Sequence, residues 1–212
     1  MPDRAGRHAT AVLLAGSVVV FALAMFAMAD DAKAQDSAPT KHFSVGNPAE
    51  LSDADAEDIY RRMSAPLKKG YLLSNHPVAR AYQSWSRFNT APYRSETHGE
   101  RFVNNYANGL GRAYGSFEEA GQLPVGSIVA KDSFAVTAAG DVTAGPLFIM
   151  EKMAQGFNAK SRDWRYTMIM PDGSVFGVTN GAESQKVQFC ITCHARAGVE
   201  NDHLYFLPDA YR

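Results

Sequence analysis

Two cysteines and a histidine stand together near the C-terminal end of the chain, in Cys190-Ile191-Thr192-Cys193-His194. The chain of 212 residues holds no other cysteine. C-x-x-C-H is the spacing of a c-type haem attachment site. Two thiols three positions apart reach the two vinyl groups on one edge of a porphyrin. The histidine directly after them turns its imidazole to the iron as the proximal ligand. Two other readings compete. A redox-active C-x-x-C needs a βαβ surrounding, and this motif follows a predicted hairpin. A zinc site needs four ligands, and only His203 is close in sequence. The expected cofactor is therefore one covalently attached haem c, bound through Cys190, Cys193 and His194, with His194 as the metal ligand.

The ligand on the other side of the iron decides what such a haem does. An electron-transfer cytochrome carries a methionine there, well downstream of the motif. Only 18 residues follow His194, and none is Met. His203 is the one strong ligand among them. Upstream candidates are Met63, Met150, Met153, Met168, Met170, His42, His76 and His98. Methionines at strand spacing are usually core filler, so an open sixth position is expected. Open haem iron takes small molecules such as oxygen, nitric oxide, hydroxylamine or peroxide.

Haem is attached to such motifs after export, and the other end of the chain reads as an export signal. Arg4, Arg7 and His8 precede an apolar run from Ala11 to Ala29, and Ala32-Lys33-Ala34 supplies a small-x-small cleavage site. Residues 1–34 are thus read as a signal peptide, and the location as periplasmic. The rival is an uncleaved anchor, since an apolar run of that length just spans a bilayer. Hydrophobic residues make up 46% and charged residues 20%, a globular mix. The net charge of −1 leaves no basic field to hold nucleic acid.

Residues 35–95 read as a lead-in and helical cover, and 96–212 as the haem-binding domain. The lead-in, 35–50, is polar and punctuated by Pro39 and Pro48. Ser52-Asp53-Ala54-Asp55 opens a helix with a capping box. Ile59, Tyr60 and Met63 follow at helical spacing, and Pro66 is expected to end the run. Pro77 suits the first turn of a second helix, with Val78, Ala81, Tyr82, Trp85 and Phe88 on its apolar face. The 100–114 stretch fits strand and helix equally. Strands are predicted over Ser127 to Val136, Leu147 to Met153 and Trp164 to Met170. Pro171-Asp172-Gly173 turns the last of these into Val175-Phe176-Gly177-Val178. No crossover helix separates these strands, so the sheet is antiparallel. The fold class is α+β: mainly antiparallel sheet, a helical N-terminal part and a C-terminal haem motif. This also disfavours the four-helix cytochromes c-prime.

Five segments then resemble the cytochrome P-460 family. They are His98-Gly99-Glu100-Arg101-Phe102-Val103-Asn104-Asn105-Tyr106-Ala107-Asn108, Leu123 to Phe134, Gly145 to Met153, Asp163-Trp164-Arg165-Tyr166, and the haem motif. The resemblance implies an antiparallel β fold, a homodimer and one c-haem with an open distal side. It implies one of two behaviours. One is hydroxylamine oxidation, on a haem carrying an extra bond from a lysine nitrogen to a meso carbon, with electrons leaving to a soluble cytochrome. The other is binding of nitric oxide without turnover, in a Phe-capped apolar pocket. Plain electron transfer is the third alternative.

Lys131 is the first choice for the linking lysine by its place in the strand after Pro124-Val125-Gly126-Ser127, and Lys152 the second. Either could simply be a salt-bridged strand lysine. Val129, Lys131 and Ser133 fall on one face of the predicted strand, with Ala130, Asp132 and Phe134 on the other. Hydroxylamine oxidation also needs a proton acceptor above the iron. Glu151, flanked by Ile149 and Met153 on its own face, is the expected group, and Asp132 the other candidate. Phe134 and Phe148 are candidate caps of the pocket. Arg101 and Arg165 are candidate partners for haem propionates.

Overall fold

The computed structural model describes residues 39–212. The signal peptide expected over 1–34 lies outside the described residues. No helix among the described residues is long and apolar enough to cross a membrane. In chain order the strands are β1 (Lys41–Ser44), β2 (Ser86–Arg87), β3 (Tyr93–Ser95), β4 (Arg101–Ala107), β5 (Ile128–Val136), β6 (Asp141–Ala144), β7 (Leu147–Lys152), β8 (Trp164–Ile169) and β9 (Val175–Val178). Helices α1 (Asp53–Leu72) and α2 (Pro77–Ala81) precede most of them, and α3 (Gln188–His194) follows them all. Every strand pairing is antiparallel, and the fold is α+β.

The sheet is organised around β5. One edge of β5 pairs with β4. The other edge is shared: Ile128 to Lys131 pair with β7, and Phe134 to Val136 pair with β6. The fork falls at Ser133, whose carbonyl accepts from Gly145 N at 2.8 Å. A Cβ on Gly145 would stand 2.3 Å from Ser133 Oγ, so only glycine allows this closeness. β8 and β9 continue the sheet beyond β7, as the hairpin signal at Pro171-Asp172-Gly173 predicts.

Strand alternation gives the sheet two buried faces. Ala130 and Phe134 of β5, with Leu147 and Ile149 of β7, pack under α1. Val129 and Met150 face the other way, into a second core with Trp164, Tyr166, Ile191 and Leu204. α1 turns Ile59, Met63, Leu67 and Tyr71 onto the first face. Ser52 caps this helix with Asp55 in the expected box. Pro66, however, lies inside α1 and does not end it. Its missing N–H and its ring cost about 3 kcal/mol. Leu67 and Tyr71, both buried beyond it, return about 1.5–3 kcal/mol each, and the helix continues.

Three other expectations change. The lead-in holds β1, paired with β6. The second helix stops at Ala81, and β2 then carries the chain between faces, leaving Trp85 against the first core and Phe88 against the second. The ambiguous 100–114 stretch is strand to Ala107 and 3-10 turns from Arg112.

Asp132, on the α1 face of β5, is fully buried. Its carboxylate accepts from Tyr60 at 2.9 Å, Tyr82 at 3.2 Å and Asn104 Nδ2 at 3.0 Å. It is therefore a structural acceptor and not a base above the iron. Burial pushes its pKa up from 3.8 to about 6, against the pull of those hydrogen bonds. The folded state thus binds this proton more tightly than the unfolded chain. Its contribution is fully present below pH 4 and is lost as pH rises to about 6. The stability of the native protein minus that of Asp132→Asn, from denaturant titrations, should fall by on the order of 3 kcal/mol over that window. A flat difference would show that Asp132 titrates normally.

Candidate functional site

Cys190, Cys193 and His194 lie on α3, where positions i, i+3 and i+4 share one helical face. Ile191, about a quarter-turn round the helix from Cys190, is buried in the second core and fixes the helix against the sheet. The two cysteines are not joined in a disulfide. Burial pushes the Cys190 thiol up to about 11.

His194 is held by a partner that sequence spacing alone does not reveal. Its Nδ1 lies 2.9 Å from the carbonyl of His203. Only an N–H on Nδ1 can donate there, which leaves Nε2 with its lone pair free for a metal. His203 thus contributes its main chain. Asp202 and His203 both take positive φ, 51° and 60°. Asp202, fully buried, anchors that bend: its Oδ1 takes Lys152 Nζ at 2.6 Å and its Oδ2 takes Leu123 N at 3.1 Å. Its carbonyl accepts from Trp164 Nε1 at 2.8 Å. Burial keeps His194 neutral, with a pKa lowered to about 4.

Both cysteines and His194 border an apolar cavity of about 260 Å³ between α3 and the sheet. Lys131 and Phe148, neighbours across β5 and β7, form part of the facing wall. Lys131 is 93% shielded from solvent, since its exposure is 7%. Its amine has no hydrogen bond or ion pair among the described residues. Burial lowers its pKa from 10.5 to about 8.

Other candidates lie elsewhere. Lys152 is spent on Asp202 and on the Arg162 carbonyl, away from the cavity. Glu151 is corrected: it shares the α1-facing side of β7 with Ile149, and its carboxylate pairs with Arg165 across β8. Strand alternation turns it from the cavity, and it occupies Arg165 as well. Phe134 stacks on Phe102 in the first core with centroids 5.2 Å apart, so it caps nothing. Arg101 does not border the cavity, although Gly99 beside it does. Of the possible sixth ligands, Met150, Met168 and His98 reach the wall.

Tyr166 joins His98 at the cavity. Tyr166 lies 5.2 Å from the His194 ring, centroid to centroid, and its buried hydroxyl has no partner among the described residues. Its alternation on a predicted strand was the only signal. His98 sits at the end of a turn closed by Gly99 at φ 75°, and packs on Phe148.

The cavity suits a flat apolar group that carries a metal. A free imidazole nitrogen, two thiols on one edge, apolar walls and an orphaned hydroxyl fit haem, and His194 would hold its iron. Fold and site together define a haem cytochrome. The family model for cytochrome P460 matches residues 79–206, more than half of the chain, and the protein belongs to that family. The match reaches back into α2, beyond the segments that carry the resemblance. No curated protein matches the chain.

Proposed function

We propose that the protein is an exported mono-haem c-type cytochrome that oxidises hydroxylamine or a related nitrogen oxide. Cys190 and Cys193 form its thioethers, His194 is its proximal ligand, and its amine link runs from Lys131. The carrying observation is that Lys131, unpaired and buried, faces the same cavity as the two thiols and His194. An unpaired buried ammonium is costly, so a lysine kept there serves something in the cavity. A pKa of about 8 raises its neutral, nucleophilic fraction at pH 7 a few hundredfold over an ordinary lysine. The haem supplies the redox chemistry. The chain supplies a fixed His194, a dry apolar enclosure and an open face over Phe148. Phe189, 57% exposed beside Cys190, marks the edge where a soluble cytochrome would take electrons. The signal sequence supports a periplasmic location, and the family resemblance a homodimer.

One observation favours the nitric-oxide-binding alternative: among the described residues no carboxylate borders the cavity, and Phe148 does. The optical spectrum of the ferrous protein separates the two. A modified macrocycle places the main band far to the red of an ordinary c-haem. An ordinary band that responds to nitric oxide selects the binding protein. A low-spin spectrum that ignores ligands selects electron transfer. On a denaturing gel, haem should stay with the chain, and the intact mass should exceed the polypeptide by one haem. Extraction of the haem into acidic organic solvent would overturn covalent attachment.

A further inference from the structure

With Glu151 turned away, no carboxylate among the described residues borders the cavity to accept protons, yet a histidine does. His98 Nδ1 lies 2.9 Å from Ser95 Oγ and 3.3 Å from Thr97 Oγ1. Its ring packs edge-on against Phe148, with centroids 4.8 Å apart. The ring is thus fixed from two sides. Its other nitrogen, Nε2, has no partner among the described residues, and His98 borders the cavity. The Ser95 hydroxyl is buried, whereas Thr97 is exposed. Ser95 and Thr97 hydroxyls lie 3.4 Å apart. A short hydroxyl chain therefore runs from the cavity wall to the surface.

We infer that His98 is the polar group that hydrogen-bonds the small molecule in the open half of the cavity and relays its protons outward through Ser95 and Thr97. The inference rests on the reading of this cavity as a haem site with an open face. When a proton leaves the substrate N–H or O–H, Nε2 takes it and Nδ1 gives its own to Ser95 Oγ. The Ser95 hydroxyl proton then passes to Thr97 and to water. The haem, held by His194, would supply the oxidation, with the soluble cytochrome of the proposed function as electron acceptor. His98 ends each cycle neutral, as its burial beside Lys131 and His194 requires, and no carboxylate among the described residues borders the cavity to stabilise a charge on it. The Ser95 hydroxyl gives or takes a hydrogen bond equally well, so Nε2 also serves as a donor to an anionic ligand.

That donor role makes the inference measurable without turnover. In the isolated haem-loaded protein, azide on ferric iron reads a hydrogen bond, whereas carbon monoxide on ferrous iron depends on it far less. His98→Leu should weaken azide binding about tenfold, the equivalent of one hydrogen bond, and change carbon monoxide affinity less than about threefold. His98→Gln restores a donor and should recover most of the azide affinity. Equal losses for both ligands would assign His98 a packing role only, and unchanged azide affinity would remove it from the site. A low-spin native spectrum that turns high-spin in His98→Leu would put His98 on the iron instead. Each of these overturns the relay. Failure of the underlying reading looks different: the native protein would hold no haem, or would bind neither ligand.

Discussion

Lys131→Leu is expected to give a folded protein with two thioethers, an ordinary c-haem spectrum and hydroxylamine oxidation reduced at least a hundredfold. Lys131 lies on the cavity face of β5, opposite Phe148 of β7, where a leucine of similar reach fits among apolar neighbours. The loss of activity follows from the macrocycle. Distortion of the ring is one lever on haem potential, and a change of about 120 mV in a one-electron couple shifts its equilibrium a hundredfold. Nitric-oxide binding should survive, because His194 and the open face are untouched. Tryptic mapping of the native protein is the companion measurement: the peptide with Lys131 should travel with that of Cys190 and Cys193. A free, unmodified Lys131 peptide would remove the link and select the nitric-oxide-binding alternative.

His194→Ala is expected to abolish activity while leaving the haem on the chain. The thioethers need only the two cysteines, and these stay on the same face of α3. The iron loses its protein ligand, and the ferric spectrum should change accordingly. The His203 carbonyl loses its donor, and the buried ring leaves a gap, together costing about 2–4 kcal/mol in denaturant titrations. Added imidazole should enter the gap and restore the native spectrum, which a general folding defect would not allow. An unchanged spectrum in His194→Ala would place the axial ligand elsewhere. His98, Met150 and Met168 would then be the residues to test, since all three border the cavity.

The haem motif, the antiparallel strands and both faces of β5 were legible in the sequence because they depend on local spacing. A C-x-x-C-H run places its three groups together on any helical turn. Period-two alternation sends Lys131 and Val129 one way, and Asp132 and Phe134 the other. The same rule also put Glu151 with Ile149, correctly. What alternation does not say is which face of a sheet holds the cofactor. That depends on where α1 and α3 dock, and Glu151 and Phe134 proved to lie on the α1 side. Pro66 shows a similar limit: its local penalty is readable, but the burial of Leu67 and Tyr71 that offsets it is tertiary. Lys131 and Lys152, three-dimensionally, are opposites, one unpaired in the cavity and one neutralised by Asp202, fifty residues away in the chain. His203, the one strong ligand type after the motif, offers its main-chain carbonyl to His194 Nδ1 through a bend at positive φ. The residue types that could do the chemistry were set by the chain itself. Their division into cavity wall and scaffold was set by packing, because the charge or hydrogen bond each one keeps depends on partners remote in sequence.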